Sequence, residues 1–132
     1  MVDRASVQAW LDRYVDAWQQ NQPGLIQALF TEDAIYRFAP FGEDNVARGH
    51  AEILRGWLDN PDPPGTWEAH YEPFAVDGNR AVATGTSHYL PGHPSGDRVY
   101  HNVYLLEFAP DGRCSEFTEL YMREQNPTPE PA

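Results

Sequence analysis

The sequence predicts a single α+β domain with helices packed on one face of an antiparallel sheet. Three observations carry this. Apolar residues before position 60 recur at helical spacing, whereas those after position 66 alternate as in strands. The two regimes are separated by Asn60-Pro61-Asp62-Pro63-Pro64-Gly65, a run that no regular element tolerates. The length of 132 residues suits one core. Helices followed by strands then pack as two layers.

Val7, Trp10, Leu11, Tyr14, Val15 and Trp18 form one apolar stripe, which predicts a helix over residues 6–20 with Ser6 as its cap. Pro23 and Gly24 break the chain and open a short second helix holding Leu25, Ile26, Leu29 and Phe30. Residues 34–38 read as a strand stopped by Pro40 and Gly42. Residues 52–59 form a third helix with Ile53, Leu54, Trp57 and Leu58 on its buried side. Strands follow over 67–76, 80–89, 99–108 and 113–122. Asp77-Gly78-Asn79 and Pro110-Asp111-Gly112 are tight turns between them, and 91–97 is a longer loop. The domain is expected to span 1–123, with a Pro-rich flexible tail at 124–132.

Composition removes several function classes. Hydrophobic content of 41% marks a globular chain rather than a disordered one. Nine arginines and no lysine face 20 acidic residues, giving a net charge of −11. That balance argues against nucleic acid or an anionic membrane as partner, since both select a basic face. It also disfavours a strongly anionic substrate, unless a local arginine overrides it. Cys114 is the only cysteine, so no internal disulfide forms, and a reduced, cytoplasmic setting fits. With no base near it in sequence, Cys114 reads as a packed thiol. The N-terminus lacks the pattern of a signal peptide, and no apolar run is long enough to span a bilayer. No HExxH, CxxC, GxGxxG, Walker or GxSxG motif is present, so no metal or cofactor is expected.

The stretch LIQALFTEDAIYRFAPFG, followed after a polar gap by RGHAEILRGW, has a particular order of elements. With a helix before it and hairpins after it, the chain resembles the nuclear transport factor 2-like superfamily. That group includes the SnoaL-like polyketide cyclases, the ketosteroid isomerases and the limonene epoxide hydrolases. The resemblance covers most of the chain. It implies that the sheet is curved and that the helices close it into one deep apolar cone.

Strand side chains alternate, so parity sorts them into faces. Parity alone does not say which face lines the pocket. The resemblance implies that positions five, seven and nine after the turn glycine face inward, which here are Phe117, Glu119 and Tyr121. It likewise places Tyr100, Asn102 and Tyr104 inward, and Thr84, Thr86 and His88 with them. Trp18, Tyr36, Phe38, Phe41 and Trp57 complete the expected walls. A carboxylate such as Glu119 is costly to bury, so it faces either a polar cavity or a wet sheet edge.

The resemblance also implies chemistry that the residues can be checked against. Tyr14 matches the oxyanion-binding tyrosine of the isomerases, and Tyr104 stands where they carry a protonated aspartate. Their general base, an acid just before a proline, is missing: the matching run is Phe38-Ala39-Pro40. The Arg-x-Asp pair of the epoxide hydrolases is also missing from residues 84–88. The cyclases use an inward acid or a His–acid pair, for which His88 and Glu119 are candidates. The expected catalytic set is therefore Tyr14, His88, Asn102, Tyr104 and Glu119. The expected function is acid–base isomerase, cyclase or hydratase chemistry on an apolar or aromatic carbonyl compound. The alternative is a non-catalytic ligand-binding or assembly module. Val82, Val103 and Leu105 on the open sheet face suggest a homodimer.

Overall fold

The computed structural model describes residues 1–124, so most of the tail expected at 124–132 lies outside the described residues. The elements run α1 (Arg4–Gln20), α2 (Pro23–Gln27), β1 (Phe30–Arg37), β2 (Val46–Arg48), α3 (Gly49–Leu58), β3 (Trp67–Asp77), β4 (Arg80–Tyr89), β5 (Arg98–Phe108) and β6 (Cys114–Arg123). Among the described residues no helix is long and apolar enough to cross a membrane.

The start of α1 differs in detail from its expected cap. Asp3, not Ser6, is the N-cap: its carboxylate accepts from the Ser6 amide at 2.8 Å. Ser6 Oγ in turn accepts from the Asp3 amide at 3.0 Å, closing a reciprocal box. The second helix is shorter than expected. It ends at Gln27, and Phe30 already opens β1. β2 was not expected from sequence, because three residues carry too little pattern to read.

All six strands form one sheet in the order β2-β1-β6-β5-β4-β3. The sheet is not wholly antiparallel, because β1 and β6 run parallel. Parallel neighbours require a long crossover, and here everything between residues 38 and 113 supplies it. Register shifts between Phe30 and Ile35, Pro73 and Ala75, and Glu107 and Phe108 bend individual strands. The bent sheet wraps a core in which Trp10 of α1 meets Phe30 and Phe108 edge-on, at 5.8 Å each. Cys114 is buried beside them, and burial pushes its thiol up to about 12, which suits a packed group.

One face assignment is corrected. Directly opposed residues of neighbouring strands share a face. Gly85 opposes both Tyr71 and Asn102, and Ser87 opposes Tyr100. The inward side of β4 is therefore Ala81, Ala83, Gly85, Ser87 and Tyr89. Thr84, Thr86 and His88 lie on the outer face, one residue out of the expected register. The small inward residues make room for the rings above them. A Cβ on Gly85 would stand 2.5 Å from the Tyr71 ring.

Candidate active site

A cavity of about 310 Å³ opens between the inner face of β4, β5 and β6, the helices α1 and α3, and the loop after α3. Tyr14, Tyr36, Tyr104 and Glu119 line it, with Trp18, Phe38 and Trp57 as apolar walls. Asn102, Tyr100 and Tyr121 complete the part foreseen from sequence. Tyr121 is 58% exposed, which marks the open rim. A small concave hollow walled by aromatic rings and carrying several convergent polar groups is a form that small-molecule sites take.

Five expected residues fall elsewhere. Phe41 is 74% exposed in the bend after β1. Phe117 is fully buried behind the cavity wall, stacked on Tyr14 at 5.4 Å and on Tyr36 at 4.5 Å. Thr84, Thr86 and His88 are on the far side of the sheet, as their register dictates. There, His88 Nε2 meets Asp97 at 2.7 Å and Nδ1 lies 3.7 Å from Glu68. The His88–Glu119 pair therefore does not form.

Other residues enter the site without having been expected: Gly56, Asn60, Asp62, Ser87 and Tyr89. Ser87 and Tyr89 share the parity of Gly85, so the correct register would have found them. Asp62 lies in the Pro-rich loop, where no periodicity points to it. Its Oδ2 accepts from Trp18 Nε1 at 2.8 Å, and its Oδ1 pairs with His93 Nε2 at 2.7 Å. His93 Nδ1 accepts from the Ser95 amide at 2.9 Å, so the ring proton sits on Nε2 and is donated to Asp62. Asp62 thus ties α1 to two loops at the rim.

Two polar features inside the cavity have chemical consequences. The Tyr14 and Tyr36 hydroxyls lie 2.9 Å apart. One donates to the other, which leaves one phenolic proton over for a ligand. Burial raises both phenols well above their ordinary value, so they stay protonated. Asn102 Nδ2 donates to Ser87 Oγ at 2.7 Å, and Ser87 also contacts the Tyr71 hydroxyl. That contact holds the amide in place.

Glu119 is the second feature. It opposes Tyr104 across the β5–β6 pair and has no hydrogen-bond or ion-pair partner among the described residues. Burial pushes its carboxyl up to about 7. A carboxyl that titrates near neutrality can both accept and return a proton.

A family model described as "SnoaL-like domain" matches residues 11–117. The chain belongs to this SnoaL-like family. The matched stretch takes in Tyr14, Tyr36, Asn102 and Tyr104 and stops two residues short of Glu119. Solved structures similar to this SnoaL-like domain include a "putative ketosteroid isomerase" from Kribbella flavida DSM 17836. It shows 23% identity and a TM-score of 0.69, over 98% of this chain and 87% of that one. A "putative polyketide cyclase" from Sinorhizobium meliloti shows 20% identity and a TM-score of 0.64, over 90% and 100% of the two chains. A protein of unknown function with a cystatin-like fold, from Methylobium petroleophilum PM1, shows 20% identity and a TM-score of 0.67, over 98% and 82%. At these identities the likeness shows the fold. No curated protein matches the sequence significantly.

Proposed function

We propose that this SnoaL-like domain is a cofactor-independent acid–base enzyme acting on an apolar or aromatic carbonyl compound. The supporting observation is Glu119, a carboxyl without a partner among the described residues, in an aromatic-walled cavity that also holds the Tyr14–Tyr36 phenol pair. In this reading the Glu119 carboxylate takes a proton from the carbon next to the carbonyl. The C–H electrons form a carbon–carbon double bond, and the carbonyl electrons move onto oxygen. The phenol pair donates a hydrogen bond to that developing enolate. Return of the proton to a different carbon is an isomerisation. Attack of the enolate carbon on a second carbonyl closes a ring, and the new alkoxide takes the proton. Glu119 therefore fills the role left vacant by Ala39.

Exchange of carbon-bound protons tests this without knowing the natural substrate. The protein is expected to speed deuterium uptake at the acidic C1 position of 2-tetralone in D₂O, followed by proton NMR. The rate should rise through about pH 7, as Glu119 becomes the carboxylate that can act as base. No acceleration over buffer at any pH would reject catalysis and leave the reading as a binding module.

We further propose that the domain dimerises through the outer sheet face. Val103, Leu105 and Met122 are 37%, 44% and 50% exposed there, on strands whose register puts them on one side. Light scattering is expected to give about twice the 15.0 kDa chain mass, and Leu105→Glu should return it to one chain. A wild-type monomer at high concentration would remove the dimer.

A further inference from the structure

The chain carries more than two acids per arginine, yet two arginines at the ends of β5 and β6, just beyond the residues that line the cavity, have no acidic partner among the described residues. Arg37, Arg48, Arg80 and Arg113 each pair with a carboxylate. Arg98 and Arg123 pair with none among the described residues, and the Nε of each is buried without a hydrogen-bond partner. Buried guanidinium nitrogens are costly to leave unmatched, so two together call for an explanation.

Their positions supply one. Arg123 directly opposes Tyr100 across the β5–β6 pair. Arg98 precedes Tyr100 by two residues on β5 and so shares its face. Its guanidinium lies over the Tyr89 ring at 5.1 Å and the Tyr100 ring at 5.4 Å. Arg98 Nη1 donates to the Tyr100 hydroxyl at 2.9 Å. Arginine has no acceptor, so the Tyr100 oxygen receives that bond and its own proton is left to donate elsewhere. Tyr100 lines the cavity. Its ring is held edge-on by Tyr89 at 5.6 Å and by Tyr121 at 5.5 Å. Beside the cavity, the inner face of the sheet thus carries two arginines next to Tyr100, whose O–H is left to donate.

We infer that Arg98, Tyr100 and Arg123 form an anion subsite at the rim, which takes the carboxylate of an aromatic acid whose rings fill the cavity. The inference rests on the reading of the cavity as a small-molecule site and narrows its substrate class. Asp62 also stands at the rim, but its two oxygens are occupied by Trp18 and His93. Glu119 lies four residues before Arg123 on the same strand, roughly 13 Å away along it. A bound acid would therefore hold its carboxylate at the rim and present a carbon further along the ring system to Glu119.

Two probes of one shape separate the parts of this inference: 2-naphthoate and 2-naphthol, titrated calorimetrically at pH 7. The folded protein is expected to bind 2-naphthoate about tenfold more tightly than 2-naphthol. Raising salt from about 50 to 500 mM should weaken only the naphthoate, because the preference is ionic. Arg98→Met and Arg123→Met should each remove most of the preference and leave 2-naphthol binding unchanged. Arg98→Lys keeps the charge without the planar fork and should retain part of it. Tyr100→Phe should also reduce it. Unaltered 2-naphthol binding certifies that each variant is folded. If 2-naphthol binds and naphthoate is no tighter, the anion subsite is wrong and the small-molecule reading stands. If the arginine variants weaken both probes equally, these side chains only brace the rim tyrosines and the inference is overturned. If neither probe binds the wild-type protein, both readings fall.

Discussion

Glu119→Gln is expected to slow deuterium exchange into 2-tetralone by about 10²–10⁴-fold, the usual worth of a positioned general base. The amide keeps the shape of the side chain and loses only its ability to take a proton. Binding of 2-naphthol should therefore survive, which separates a chemical role from a packing role. The same substitution carries a second signature. A carboxyl held near 7 in the native state titrates near 4.5 when unfolded. Between those values the native state binds more protons than the unfolded one, so stability falls as pH rises through the window from 4.5 to about 7. Above it the native protein carries the full penalty of an ionised, poorly solvated group. Glu119→Gln removes that penalty. The variant should be more stable than wild type at pH 8, by about 1–3 kcal/mol after allowance for partial solvent contact. The difference should vanish near pH 4. Urea midpoints at pH 4 and pH 8 read this directly. Equal midpoints at both pH values would show that Glu119 is solvated, and an unchanged exchange rate would remove it as the base.

Phe117→Ala should cost about 3–5 kcal/mol, the range for emptying a fully buried aromatic position. The ring is fully buried and lies against three tyrosines: Tyr14, Tyr36 and Tyr104. Loss of that backing also frees the Tyr14–Tyr36 pair, whose hydroxyls depend on ring position for their 2.9 Å contact. Phe117→Leu refills most of the volume and should recover most of the stability. The urea midpoint is the measurement. A loss under about 1 kcal/mol for the alanine variant would mean that the surrounding rings collapse into the gap and that Phe117 does not set their places.

How legible the site was depends on which turn precedes each strand. Pro110-Asp111-Gly112 is a tight turn between β5 and β6, and counting from its glycine by the family resemblance, which alone named the pocket face, placed Tyr100, Asn102, Tyr104, Glu119 and Tyr121 in the cavity. Between Tyr89 and Arg98 the loop is long and imposes no register. β4 was therefore read one residue out, and His88 was paired with the wrong carboxylate. The composition of β4 held a usable clue. Its inward positions from Ala81 to Ser87 are Ala81, Ala83, Gly85 and Ser87, all small, as expected beneath large rings, and only Tyr89 at the strand end is large. Asp62 and His93 were invisible for a different reason. Their meeting is a contact between two irregular loops, and no sequence period encodes it. The parallel pairing of β1 with β6 was hidden likewise, because apolar alternation marks a strand without naming its neighbour.

That pairing sets the order in which the molecule can assemble. β6 is the last strand among the described residues yet lies in the interior of the sheet, joining β1 on one side to β5 on the other. Until it is made, β2 and β1 form one fragment and β3, β4 and β5 another, each with an unpaired edge. Closing them brings Phe30 beside Cys114, a contact between distant parts of the chain of the kind that slows folding. The same strand carries Glu119. A nascent or truncated chain therefore lacks the Glu119 side of the cavity, and its two exposed edges make it prone to self-association.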